Sequence, residues 1–115
     1  MNKKSQTVQP GKSKIRVLRW EKPSPVSQEE AEANLHKEGY ESFCWYDVPG
    51  VQYPKHRHGL DECLWILRGE IHVTLDDQTY VLKAGDRIYL PAHTPHVAEV
   101  PNSNGVTYLV GQKKA

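Results

Sequence analysis

The sequence predicts an all-β fold, a sandwich or barrel of short strands, with one strand and one helix ahead of it. Three observations predict it. From Tyr40 onward, runs of strand-forming residues recur at regular spacing. Turn signals stand between them: Pro49-Gly50, Arg68-Gly69, Asp76-Asp77, Ala84-Gly85 and Asn104-Gly105. Residues 70–75 alternate cleanly, with Ile71, Val73 and Leu75 on one face and Glu70, His72 and Thr74 on the other. That is the period of a half-buried strand. The strand count fits a double-sheet jelly roll.

The length, 115 residues, suffices for one domain. Hydrophobic residues make up 37% and charged residues 25%, which is polar for a globular domain and implies a solvated tail. The formal charge of +1 gives no electrostatic case for nucleic acid or an acidic membrane surface. No stretch approaches the ~20 apolar residues needed to span a bilayer. No apolar signal core follows the basic start Met1-Asn2-Lys3-Lys4. A soluble, cytoplasmic protein is the default expectation. Cys44 and Cys63 lack zinc-ribbon spacing and sit in apolar settings, so buried free thiols are expected.

In chain order, residues 1–14 carry four lysines and no acid and read as a disordered basic tail. Residues 15–40 form a strand and a helix that pack on the barrel. Residues 15–20 are rich in strand formers, and Lys22-Pro23-Ser24-Pro25 ends that strand. Ser27 opens the helix, and Glu30, three residues on, completes a capping box. Val26 can staple onto Ala31. Ala31 and Leu35 share a thin apolar face, and Gly39 is placed to end the helix.

The barrel is expected over residues 41–111. Its strands are expected at 41–46, 53–58, 62–67, 70–75, 79–83, 87–90, 96–100 and 106–110, with the residues after 110 fraying. The run Cys63-Leu64-Trp65-Ile66-Leu67 is apolar on both faces. If Glu62 points inward, so do Leu64 and Ile66, and Cys63, Trp65 and Leu67 point outward. An outward Trp and Leu need cover, from the N-terminal segment or from a second subunit. A homodimer is the favoured expectation.

The chemistry concentrates in residues 50–62. His56 and His58 stand one residue apart, so on a strand their imidazoles share a face with Cα atoms ~6.5 Å apart. Gly59 allows a turn, and Glu62 can return on the neighbouring strand with its carboxylate on that face. Two imidazoles and a carboxylate with open positions suit first-row transition metals. Alone, Lys55-His56-Arg57-His58 reads rather as a solvated basic loop.

The spacing extends further. Gly50, five residues, His56, one residue, His58, three residues, Glu62, six residues, Gly69 resembles the first motif of the cupin superfamily at every defining position. Gly85, Pro91 and His96 match its second motif. Two positions depart: His93 stands at a motif glycine and Val100 at a motif asparagine. The resemblance covers about residues 40 to 110. It implies a jelly-roll (double-stranded β-helix) barrel holding one divalent transition metal (iron, manganese, nickel or zinc) on His56, His58, Glu62 and His96.

Inward strand residues would line the pocket: Leu64, Ile66, Ile71 or Val73, Ala98 and Val100. Arg57 and Arg87 point outward by alternation. Tyr53, Tyr89 and Tyr108 can add hydroxyls, although strand aromatics more often serve packing. His93, Tyr53 and Tyr89 are the catalytic candidates, with an exposed turn as the ordinary reading of His93. The expected function is a small metal-dependent enzyme acting on a small organic molecule, oxygenase-like first and isomerase second. The alternatives are a non-catalytic ligand-binding or sensing module and a structural-metal barrel. Fold alone does not choose among them.

Overall fold

The computed structural model describes residues 15–114, so the expected tail at 1–14 lies outside the described residues. Nine strands and one helix follow in order: β1 (Arg16–Leu18), α1 (Gln28–Lys37), β2 (Glu41–Asp47), β3 (Gln52–His56), β4 (Leu60–Arg68), β5 (Glu70–Leu75), β6 (Gln78–Lys83), β7 (Arg87–Leu90), β8 (His96–Glu99) and β9 (Val106–Lys114). They form two antiparallel sheets, β1-β7-β4-β9-β2 and β3-β8-β5-β6. The all-β architecture and its single leading helix follow the pattern of the sequence.

The main core lies between the sheets. Ile66, Ile71, Val73, Leu82, Ile88 and Val106 are its most enclosed members. The alternation of β4 divides that strand between two interiors. Leu64 and Ile66 enter the main core, while Cys63, Trp65 and Leu67 enter a second cluster on the other face of the five-stranded sheet. Ala31 and Leu35 of α1, Tyr40, Tyr89 and Leu109 complete that cluster, with Trp20 and Val26 against it. The outward face of β4 is therefore covered from within the chain. The homodimer expectation loses the observation on which it rested.

The N-terminal segment is fastened through Asp86. Its carboxylate accepts from the Trp20 backbone N–H at 2.9 Å, Arg19 Nη1 at 3.0 Å and the Lys83 backbone N–H at 3.0 Å. The Trp65 indole N–H donates to the Gly85 carbonyl at 3.0 Å. Gly85 has φ +94°, and a Cβ there would collide with the Trp20 ring. This motif glycine thus has a double cause, its left-handed backbone and the ring laid across it. Arg87 does point outward, its guanidinium 4.1 Å above the Trp65 ring.

Helix α1 starts as expected. Ser27 Oγ accepts from the Glu30 N–H at 3.3 Å, and Gly39 takes φ +95° beyond the last turn. Three expectations need correction. Strand β9 does not fray after residue 110 but runs to Lys114, because β4 pairs along it as far as Leu60 opposite Lys114. Cys44 is exposed, since it lies on the outward side of edge strand β2; only Cys63 is buried, and both thiols are free. Burial raises the Cys63 thiol to about 12. Finally, β3 and β4 are not sheet neighbours: β3 lies in the four-stranded sheet and β4 in the other.

Candidate metal centre

The placement of β3 and β4 in different sheets defines the site. His56 ends β3 and pairs directly with His96, which begins β8. Glu62 reaches in from β4 on the opposite sheet, so the site lies between the sheets rather than along one hairpin. The β3 ladder is irregular between Tyr53 and His56, where Pro54 interrupts it. Proline is tolerated there because β3 is an edge strand, and a bulge of this kind re-aims the side chains that follow.

His56, His58 and His96 come together, with one ring nitrogen from each within 4.8 Å of the others. Ring centroids are 4.3 Å apart for His56–His96 and 4.8 Å for His56–His58. His56 Nδ1 lies 2.7 Å from the Pro54 carbonyl and His96 Nδ1 lies 2.9 Å from the Thr94 carbonyl. A carbonyl only accepts, so each Nδ1 carries the proton. The Nε2 lone pairs are thereby left for the site. Backbone carbonyls that fix the tautomer in this way are the usual outer partners of metal-ligating histidines. Burial is the main influence on His96 and lowers its pKa, which favours the neutral ligand form. The donor set fits a first-row metal ion.

Glu62 is buried at 5% exposure. Its Oε1 stands 3.7 Å from His58 Nε2, and its Oε2 accepts from the Gln112 amide at 3.1 Å. The group that converges within metal-binding distance consists of the three histidines, and Glu62 stands beside it. Gln112 escaped the sequence reading because β9 was expected to have frayed before it. It is opposite Glu62 in the β4–β9 ladder.

A cavity of about 460 Å³ opens at the three histidines. Leu64, Ile71 and Ala98 line it as expected, whereas Ile66, Val73 and Val100 lie deeper in the core. The aromatic wall was underestimated: Phe43, Trp45, Tyr53 and Tyr108 all border the cavity. Among the described residues, no lysine or arginine lines it.

Behind that wall is a residue the sequence reading missed. Asp47, at 5% exposure, accepts three hydrogen bonds. Trp45 Nε1 and Tyr53 OH donate to Oδ1 at 2.9 and 2.7 Å, and Tyr108 OH donates to Oδ2 at 2.7 Å. Burial, then the bond to Asp47, raises the pKa of both tyrosines, so their hydroxyls stay protonated. A local signal existed in Trp45-Tyr46-Asp47, but Tyr108 is 61 residues away.

The other candidates separate. Tyr89 faces the helix side, donating to Glu38 Oε1 at 2.7 Å. This corrects its candidacy: alternation along β7 turns it away from the cavity. His93 is exposed and donates its backbone N–H to the His58 carbonyl at 2.7 Å. Its φ of +66° explains why glycine suits that motif position.

Comparison with known proteins gives the family. Residues 45–110, more than half the chain, match the family model for the cupin domain. The chain belongs to the cupin family. A curated relative, an uncharacterised protein of Methanocaldococcus jannaschii, is 34% identical over 80 residues, which is 68% of this chain and 64% of that protein. The match thus spans slightly under two thirds of the relative's length.

Among solved structures, an RmlC-like cupin from Shewanella frigidimarina is 26% identical at TM-score 0.59, covering 66% of this chain and 67% of its own. A cupin 2 domain-containing protein from Halorhodospira halophila shares the fold at TM-score 0.68 and 21% identity, covering 90% and 79%. A DMSP lyase from Ruegeria pomeroyi is 27% identical at TM-score 0.58, over 64% of this chain and 38% of that one. No helix among the described residues is long and apolar enough to cross a membrane.

Proposed function

We propose that this cupin is a metal-dependent enzyme acting on a small, largely apolar or aromatic organic molecule. The observation that carries the reading is the convergence of His56, His58 and His96 with two tautomers fixed by backbone carbonyls, at the mouth of an aromatic cavity. The three histidines would hold one divalent first-row ion, with Glu62 as the fourth ligand after a small side-chain movement. When bound, the metal supplies Lewis acidity and, where it is iron, redox chemistry with dioxygen. The chain's own residues bind and orient. Phe43 and Trp45 flank the entrance at 46% and 47% exposure, while Leu64, Ile71 and Ala98 keep the floor apolar. Gln112 holds one Glu62 oxygen and so aims the other toward His58.

Oxygen-dependent cleavage is the first reaction class. Proton-transfer chemistry, such as isomerisation or elimination, is the second. It is favoured by Glu62 standing beside the histidine group, where a carboxylate can accept a proton from a bound molecule. The likeness to a structure named as a lyase supports keeping that class. The test is turnover by the protein reconstituted separately with iron, manganese, nickel and zinc. Oxygen uptake with simple phenols or diketones supports the first class, and proton exchange or product without oxygen uptake supports the second. No turnover with any metal across such a panel would leave a ligand-binding or structural-metal module as the better account.

A further inference from the structure

The aromatic end of the cavity has an unusual polar balance. Three groups there can donate a hydrogen bond: Trp45 N–H, Tyr53 O–H and Tyr108 O–H. All three are committed to the Asp47 carboxylate, at 2.9, 2.7 and 2.7 Å. Two point to the same oxygen, Oδ1, and the third to Oδ2. A phenol whose proton is engaged keeps only its oxygen lone pairs to offer. Tyr53 and Tyr108 line the cavity, whereas Asp47 lies behind them. The Pro54 carbonyl beside them is already taken by His56 Nδ1.

We propose that the aromatic end of this cavity selects a molecule that brings its own O–H or N–H donor, and that Asp47 sets this selectivity without touching the ligand. The inference deepens the proposed function by naming a ligand class, and it does not depend on which metal, if any, is bound. A ligand with only acceptor atoms meets oxygen lone pairs and loses its water without replacement, a cost of the kind that makes unpaired polar groups expensive. A ligand with a donor meets a waiting acceptor on Tyr53 or Tyr108. The Tyr53 and His56 ring centroids are 6.3 Å apart, so the tyrosine end of the cavity adjoins the histidine end. Asp47 is a positioning residue: it fixes the direction of two hydroxyl protons.

The probes are phenol and its methyl ether, anisole, which share a ring and differ in the donor. Occupancy is read from the Trp45 indole N–H resonance in a nitrogen–proton correlation spectrum, assigned with Trp45→Phe. Each titration is run on chelator-treated and on zinc-loaded protein. Phenol should bind about three- to tenfold more tightly than anisole in both states, the value of one net hydrogen bond. Asp47→Asn should move that ratio toward one. An amide can accept through its oxygen only, so one tyrosine proton is released toward the cavity. Tyr53→Phe, which leaves Asp47 in place, should also reduce the ratio and serves if Asp47→Asn does not fold. Equal binding of the two probes by the metal-free wild type would overturn the proposal, as would no binding of either at millimolar concentration. A phenol preference seen only with zinc would overturn it too, by assigning the preference to the metal. Failure of zinc to bind would count against the proposed metal centre while the metal-free arm still decides the selectivity.

Discussion

Strand β4 borders two regions built to opposite ends. On its outer side, Trp65 is enclosed at 3% exposure by α1, Trp20, Tyr89 and Leu109, and its indole N–H is bonded. On its inner side, the first residues, Glu62 and Leu64, border an open cavity with half-exposed aromatics at the rim. The strand is the same and alternates from Cys63 to Leu67; only the partners differ. Close packing on one side holds the backbone, so the other side can leave space for a ligand without the sheet collapsing into it. Helix α1 and Trp20 therefore take part in the site indirectly, by filling the outer face.

This contrast can be broken from either side. The largest effect should come from Trp65→Ala, which empties the outer cluster and strands the Arg87 guanidinium stacked on it. A loss of about 3–5 kcal/mol is expected in denaturant unfolding. A loss below about 1 kcal/mol would show that the helix layer is dispensable and would remove the division of labour. Ser27→Ala should act in the same direction but weakly, by about 0.5–1 kcal/mol, because it removes only one cap bond from a short helix. Phe43→Ala, on the cavity rim at 46% exposure, should change stability least, within about 0.5 kcal/mol, while weakening phenol binding. A stability loss from Phe43→Ala as large as that from Trp65→Ala would mean that the cavity wall is core.

Local patterns made much of this legible. The strands announced themselves because alternation and turn residues act over two to six positions. His56 and His58 could be paired because i and i+2 share a face of any strand. His96 needed the resemblance to a known family, since nothing local links it to His56. The cross-strand pairing of those two residues then follows from the β3–β8 register. Glu62 was placed on the wrong neighbour because a short hairpin between β3 and β4 is the simplest local guess, whereas the chain crosses to the other sheet. Asp47 was invisible for a different reason. A buried carboxylate is explained only by its donors, and one of these arrives from β9. The end of β9 was misjudged because Gly111-Gln112-Lys113-Lys114 has little strand preference of its own; its partner β4 imposes the pairing.

The central claim is that three histidines, two of them fixed by backbone carbonyls, form a metal centre. It is tested most directly by elemental analysis after saturation with nickel or zinc and removal of free ion. The wild type is compared with His56→Ala, His58→Ala, His96→Ala and Glu62→Ala, each checked for an unchanged β-sheet spectrum. Stoichiometric metal is expected in the wild type. Each histidine variant should fall to trace occupancy, a loss of affinity exceeding roughly 100-fold, the upper cost of removing an outer partner. Glu62→Ala should bind severalfold less than the wild type but more than the histidine variants. Full occupancy in folded histidine variants would contradict the account.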